Sequence, residues 1–411
     1  MNKVWPTKNL GDICNVIGGG TPSKSRPDFY TGNIPWATVR DMKAELISCT
    51  ECSITSDAVS KSSTNVIPGG NVIIATRVGL GKVCMLGQDT AINQDLRGVV
   101  PKSTKILNVG FLFWWLKSVA TTIVAEGTGA TVQGVKLPFV KSLQIPLPPL
   151  PEQKRIVAIL DEAFAGIDAA VANTEKNLAN ARELFESYLF RAFQNESLDW
   201  EFVKWGDLCH FVRGPFGGSL KKSMFKDNGY AVYEQKHAIH DHFDQLRYFI
   251  DVNKFNEMAR FEVKPGDIIM SCSGVTLGRV AIVPEGIPRG IINQALLKLT
   301  PNSNVSVHFL KHWLRSKAFQ DIIFQHSGGA AIPNVPSAKI LKEITIPLPS
   351  LKEQESIVNG IESMLGSITA LESIYQQKLN SLNELKQSIL QKAFAGELTS
   401  LPEKTVEEVV A

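Results

Sequence analysis

The sequence predicts an α+β molecule written twice. Two mixed α/β globular domains are each followed by one long helix, and the two helices pair as an antiparallel coiled coil about an internal pseudo-two-fold axis. Three observations predict this. The chain has 411 residues, more than one hydrophobic core accommodates. It repeats itself at an offset near 200 residues. Each copy closes on apolar residues at alternating steps of four and three, the spacing of a coiled-coil seam.

The first globular domain is placed at 1–150. Its opening Gly11-Asp-Ile-Cys14 returns as Gly206-Asp-Leu-Cys209. Leu80-Gly-Lys-Val83 returns as Leu277-Gly-Arg-Val280, and Ile92-Asn-Gln94 as Ile292-Asn-Gln294. Val72-Ile-Ile74 and Ile268-Ile-Met270 follow Pro-Gly turns and read as buried strands. Phe111–Ser118 and Phe309–Ser316 read as short amphipathic helices. The sequence does not give the strand order. The offset drifts from 195 to 201 along these parts and then stays fixed. Loops tolerate insertions, whereas one residue added to a packed helix turns its apolar face by about 100°.

The fixed part opens at Ile145-Pro-Leu-Pro-Pro-Leu-Pro-Glu-Gln153, repeated as Ile346-Pro-Leu-Pro-Ser-Leu-Lys-Glu-Gln354 with seven of nine positions identical. The prolines stop the helix extending backward. The first helix, within 151–199, has a seam at Ile156, Leu160, Ala163, Ile167, Ala170 and Thr174. The second, within 351–400, places Ile357, Ile361, Met364, Ile368, Leu371 and Tyr375 on the same steps, then Leu379, Leu382, Leu385 and Ile389. Asn195 and Gly396 are the expected stops. A long apolar stripe needs a partner, and the other copy is the nearest of equal length. The alternative is that each helix packs on its own domain. Residues 200–350 form the second globular domain and 401–411 a tail.

The net charge of +3 conceals a division. Residues 1–150 carry 15 Lys and Arg against 9 Asp and Glu, and residues 200–350 carry 18 against 13. Residues 151–199 and 351–411 each carry 5 against 9. Two basic globular parts therefore alternate with two acidic helices. Basic domains attract a phosphate backbone, and acidic helices suit protein docking.

Several function classes are excluded or weakened. Six scattered cysteines in a long chain read as reduced thiols of a cytoplasmic protein. The N-terminus has no apolar signal core, and the most apolar stretch, 110–125, contains Lys117 and is too short to cross a bilayer. The glycine-rich Ile17–Ser25 segment has Ser23 where a phosphate-binding loop needs glycine. The chain has no adenine-holding Asn/Asp-Pro-Pro-aromatic site. Cys49-Thr-Glu-Cys52 is a lone pair. His237, His240 and His242 with Asp241 and Asp244 could hold a metal, and a loop that touches nucleic acid is the simpler reading. No catalytic, cofactor or metal residue is assigned.

What remains is four polar loops, each present in both copies. The first offers Thr21, Ser23, Lys24 and Arg26 against Arg213, Ser219, Lys221 and Lys222. The second offers Thr38 and Arg40 against Gln235, Lys236 and His237. The third offers Arg77 and Lys82 against Ser273 and Arg279. The fourth offers Thr131, Gln133 and Lys136 against Asn334. Arg and Lys pair with guanine, Gln and Asn with adenine, and small residues let backbone approach phosphate. Duplicated loops with different side chains suggest two recognition surfaces of different specificity.

The duplicated Ile-Pro-Leu-Pro…Glu-Gln blocks, Gly-Asn-Ile-Pro-Trp36, the Gly-Thr-Gly-Ala-Thr131 loop and the Lys392-Ala-Phe-Ala-Gly-Glu-Leu398 helix end together resemble a specificity subunit of a type I restriction–modification system. The resemblance covers all but the tail. It implies two target recognition domains separated by two conserved helices. It implies that the chain itself does no chemistry and binds no cofactor. It implies double-stranded DNA, two modification subunits that use S-adenosylmethionine, and motor–nuclease subunits that use ATP and Mg2+ as partners. Residue by residue, no base contact carries over. Two other classes are a protein–protein adaptor without DNA, and a metal nuclease built on the His237–Asp244 cluster.

Overall fold

The computed structural model describes residues 5–129, 134–194, 200–274, 276–326 and 334–399. Thr131, Gln133, Asn195 and the tail lie outside the described residues. The chain forms two compact units, residues 1–174 with 377–411, and residues 175–376.

The first unit contains strands β1 (Thr7–Asn9), β2 (Cys14–Gly18), β3 (Ile34–Ala37), β4 (Leu46–Ile47), β5 (Cys52–Ile54) and β6 (Asn65–Ile67). These are followed by β7 (Val72–Ala75), β8 (Val83–Leu86), β9 (Thr90–Ile92), β10 (Leu96–Pro101) and β11 (Gln144–Pro146). One sheet has the order β2-β10-β7-β8-β4, a second β5-β3-β9-β6, and β1 pairs with β11. The second unit contains β12 (Glu201–Lys204), β13 (Cys209–Arg213), β14 (Tyr230–Tyr233), β15 (Phe249–Ile250), β16 (Ile268–Ser271), β17 (Val280–Ile282), β18 (Gly290–Ile292), β19 (Leu296–Pro301) and β20 (Thr345–Leu348). Its sheets are β13-β19-β16-β17, β15-β14-β18 and β12-β20. The same strand order is built twice; among the described residues the second unit has no counterpart of β4, and its counterpart of β6 is a single antiparallel bridge between Glu262 and Ile291.

The buried-strand reading holds for β7 and β16, and the reason is two-sided burial. Val72 and Ile74 enter the core beneath the helix Val109–Ser118, while Ile73 and Ala75 pack toward the second sheet. In the second unit Ile268 and Met270 face one core and Ile269 the other. The helix Val109–Ser118 is not amphipathic as expected: Phe111 to Leu116 are all buried. It is enclosed by the sheet on one side and by the long helices on the other, where Trp114 meets Phe164 and Phe111 meets Phe394. Its counterpart Val307–Arg315 keeps a polar side, with His308 more than half exposed.

The two long helices, Leu150–Phe193 and Leu351–Phe394, have 44 residues each. Each unit holds a part of both. In the first unit Thr399 donates to Glu152 and Lys386 to Asp168, so the segments run antiparallel. In the second unit Arg182 pairs with Glu372 at 2.6 Å and Gly360 lies against the Tyr188 hydroxyl, again antiparallel. The seam differs in detail from the predicted one. Phe164 is buried rather than Ala163, and Leu371 and Leu385 are exposed where Glu372 and Lys386 turn inward to ion pairs.

The repeated Glu-Gln motif joins each helix to its domain. Gln153 is fully buried; its Oε1 accepts from Asn108 N at 2.8 Å and its Nε2 donates to the Ile106 and Pro148 carbonyls at 2.8 Å. Gln354 is fully buried and does the same with Ser306 N, the Asn304 carbonyl and the Pro349 carbonyl. Among the described residues no helix is long and apolar enough to cross a membrane. Burial pushes the thiols of Cys14, Cys209 and Cys272 up to about 12, which makes them unreactive core residues.

Candidate nucleic-acid interface

In the first unit five loops converge beyond the ends of β2, β3, β7 and β10. Gly20 N donates to the Ile92 carbonyl at 2.9 Å, and Thr21 donates to the Gln94 side chain. Gly19 must be glycine, because a Cβ there would lie 2.0 Å from the Asn93 carbonyl oxygen. Thr76 N donates to the Asp95 carbonyl at 2.8 Å, and Val135 N donates to the Thr76 carbonyl at 2.9 Å. Gly79 sits against Val39, and Lys82 Nζ lies 3.4 Å from the Met42 carbonyl. This joins the loops around residues 20, 40, 80, 95 and 135. Arg40, Arg77, Lys82 and Lys136 are exposed on them.

Not every candidate belongs there. Arg26 is held by Asp28 through two hydrogen bonds, at 2.9 and 2.6 Å, and lies over Phe29. Ser23 bonds Ser25 at 2.7 Å, and Lys24 is exposed on the same excursion. Thr38 caps the 3-10 turn Val39–Asp41, in which Asp41 Oδ2 accepts from Thr38 N at 2.7 Å.

The second unit brings together Gln235, Ser273 and Asn334, while Arg213 ends β13 opposite Leu297. Gln235 Nε2 lies 2.9 Å from Ser271 Oγ and within 3.1 Å of both Ser273 oxygens. Ser273 forms a bridge with Asn334, and Val335 N donates to the Cys272 carbonyl. Lys236 and Arg279 flank this cluster. Ser219, Lys221 and Lys222 lie on a separate exposed loop, with Ser219 Oγ donating to the Phe216 carbonyl.

Register corrects one sequence pairing. Ala37 pairs with Ile92 as Tyr233 pairs with Ile292, so Thr38 matches Glu234, Arg40 matches Lys236 and Asp41 matches His237. His237 takes the capping role of Asp41: its Nδ1 accepts from Glu234 N at 2.8 Å, and its Nε2 faces the Gln245 carbonyl at 3.2 Å. It is 1% exposed, and burial holds its pKa below the usual histidine value. Its side chain therefore serves the fold instead of facing a ligand. In the fourth loop Val135 N and Val335 N bond the equivalent Thr76 and Cys272 carbonyls, and one extra residue then follows in the second unit, so Lys136 and Ser337 each directly precede their helices, Leu137–Ser142 and Ala338–Glu343.

The nuclease alternative loses its cluster. Asp241 is paired with Lys311 at 2.7 Å and Arg315 at 3.0 Å, and both His237 nitrogens are occupied. Among the described residues no group of three or more His, Cys, Asp or Glu side chains could hold a metal.

Sequence reasoning missed Arg97. It is half-buried, with Nη1 donating to the Gln94 carbonyl at 2.9 Å and the Leu96 carbonyl at 2.7 Å. Burial and then the neighbouring Arg77 lower its pKa, while Asp95 opposes them. The repeated Ile-Asn-Gln94 was the signal. It marks a shared turn, in which Asn93 Oδ1 accepts from Asp95 N as Asn293 Oδ1 accepts from Ala295 N.

Comparison with known proteins places this arrangement. Residues 2–178 and 197–383 each match the type I restriction modification DNA specificity domain. The chain is 24% identical to the type I restriction enzyme MjaIX specificity subunit of Methanocaldococcus jannaschii, over 96% of this chain and 94% of that one. It is 36% identical to the EcoR124I/EcoR124II specificity subunit of Escherichia coli over 44% of this chain and 46% of that one. Its fold resembles a chain from a structure describing assembly and conformational transition of the type I R-M system, with TM-score 0.79, 21% identity and coverage of 97% and 100%. It also resembles the HsdS subunit from Thermoanaerobacter tengcongensis, with TM-score 0.60, 21% identity and coverage of 96% and 97%.

Proposed function

The chain belongs to the type I restriction modification DNA specificity domain family, and we propose on that premise that it is the DNA-reading subunit of a type I restriction–modification complex. Residues 1–150 and 200–350 act as the two target recognition domains. Each reads one half of a bipartite, asymmetric site, and the paired helices set the spacer between the halves. The observation that carries this reading is the same loop cluster built twice with different side chains: Arg77 and Asp95 in one copy, Ser273 and Ala295 in the other. Equal scaffolds with unequal side chains read unequal sequences.

The chain performs no reaction itself in this reading. Modification subunits supply S-adenosylmethionine and adenine methylation, and motor–nuclease subunits supply ATP and Mg2+ chemistry. The acidic helices leave Leu184, Leu365, Leu371, Ile374 and Leu385 exposed, and large apolar side chains on a charged face suit a protein partner.

The test is binding of the chain, assembled with its modification subunits, to DNA at increasing salt, followed by methylome sequencing of the host. A steep loss of affinity with salt and methylation at a two-part motif are expected. Binding indifferent to salt, or no DNA binding, would return the chain to the adaptor class.

A further inference from the structure

The two units place one arginine at the same point of the same sheet, but from opposite strands. In the first unit Gly18 of β2 faces Arg97 of β10 in the strand register. In the second, Arg213 of β13 faces Leu297 of β19. These are equivalent pairs. Gly19 lies against the Asn93 carbonyl as Gly214 lies against the Asn293 carbonyl, and Gly18 and Arg213 directly precede those glycines. A Cβ built on Gly18 would meet the Arg97 guanidinium alone, with Cζ and Nε each at 3.9 Å. A side chain at position 18 would thus enter the space that Arg97 fills from across the ladder.

Among the described residues neither guanidinium is in an ion pair. Arg97 is tied by Nη1 to two backbone carbonyls. The neighbouring Asp95 carboxylate pairs with Arg77 at 3.7 Å and offsets only part of the effect of burial and of Arg77 on Arg97. Arg213 Nε is buried with no hydrogen-bond partner among the described residues. Removing a cation from water without a paired anion is costly, so a position that keeps one in both copies is a position that awaits an acceptor. The side chains around it have changed together: Arg77 and Asp95 become Ser273 and Ala295.

We infer that Arg97 and Arg213 are one recognition position served from two strands, and that each presents its guanidinium to a guanine edge in the half-site its domain reads. A fixed fork matches the O6 and N7 acceptors of guanine in the major groove. The inference rests on the DNA-reading function proposed above.

The test assembles the full chain with its modification subunits and reads the methylated motif from a randomised DNA library. Arg97→Ala should reduce discrimination at one G·C pair of one half-site by roughly 5- to 150-fold, and leave the other half intact. Arg213→Ala should do the same in the other half only. The double variant Gly18→Arg with Arg97→Leu, which copies the second unit into the first, should retain the guanine preference that Arg97→Ala loses. Arg97→Gln keeps a polar side chain of similar reach and should shift the preference toward adenine. An unchanged motif with uniformly weaker binding and a shallower salt slope would overturn the inference in favour of a phosphate contact, as would a wild-type half-site with no G·C pair. A wild-type complex that methylates no two-part motif would instead overturn the proposed function.

Discussion

Gln153 and Gln354 show what a two-residue repeat in the sequence was for. Each uses its amide to tie the first turn of a long helix to the loop before the short helix of its own domain. Gln153→Ala would leave Asn108 N and two carbonyls without partners, and a buried unsatisfied group costs about 1–3 kcal/mol. We expect about 2–4 kcal/mol lower stability in urea unfolding of the full chain, and the same for Gln354→Ala. His237 and His312 carry a second expectation. Burial lowers the pKa of both, against the pull of Glu362 on His312. The unfolded chain therefore takes up protons near pH 6.5 that the folded chain refuses, and stability falls as pH drops from about 6.5 toward 5. His237→Asn, which keeps an acceptor for the Glu234 amide, should flatten part of that fall. Comparing urea midpoints at pH 7.5 and 5.5 checks it. The capping role of His237 was invisible in sequence, because the one-residue difference in register between Asp41 and His237 appears only when β3 and β14 are paired with their neighbours.

At the scale of elements, apolar spacing located both long helices, and short apolar runs after Pro-Gly turns located both buried strands. It erred where two partners compete for one helix. A seam assigned by steps of four and three assumes a single partner, yet the first half of Leu150–Phe193 also carries the domain core on Ile156, Leu160 and Phe164. Farther along, charge pairs replace apolar contacts, so Glu372 and Lys386 are sheltered while Leu371 and Leu385 are exposed. The energetic consequence is testable. Leu160 is fully buried, and Leu160→Ala should cost about 2–5 kcal/mol, whereas Leu385, 44% exposed, should cost less than about 0.5 kcal/mol as Leu385→Ala in the free chain. Leu371→Glu with Ile374→Glu should leave the chain folded by circular dichroism and weaken its assembly with modification subunits by at least tenfold. Unaltered assembly would remove this face from the docking surface.

At the scale of the whole molecule, the separation of charge matches the proposed separation of roles, with basic globular parts suited to a polyanion and acidic helices suited to protein partners. Domain exchange follows from it. Replacing residues 1–150 with the corresponding domain of another such chain should alter one half of the methylated motif and preserve the other, together with the spacer. Changes in both halves would show that the domains do not read independently. Adding whole helical turns at matching places in both long helices should lengthen the preferred spacer, and footprinting or methylome sequencing would register it. A constant spacer would mean that the helices do not measure the gap.

The sequence by itself determined the duplication, the two long helices with the proline stops before them, the buried strands and the division of charge. Each of these is a pattern along one chain, legible as a repeat, a spacing, a short run or a local composition. It also located loops that the structure brings together at one end of the sheets in each unit. Only the tertiary structure decided the strand order, the true register of the second loop, the burial of His237 and the convergence of five loops on one cluster. It alone brought Gly18 opposite Arg97 and Arg213 opposite Leu297. The physical reason is that hydrogen-bonded pairing between strands far apart in sequence leaves no periodic trace, and a side chain's role depends on which strand lies across from it.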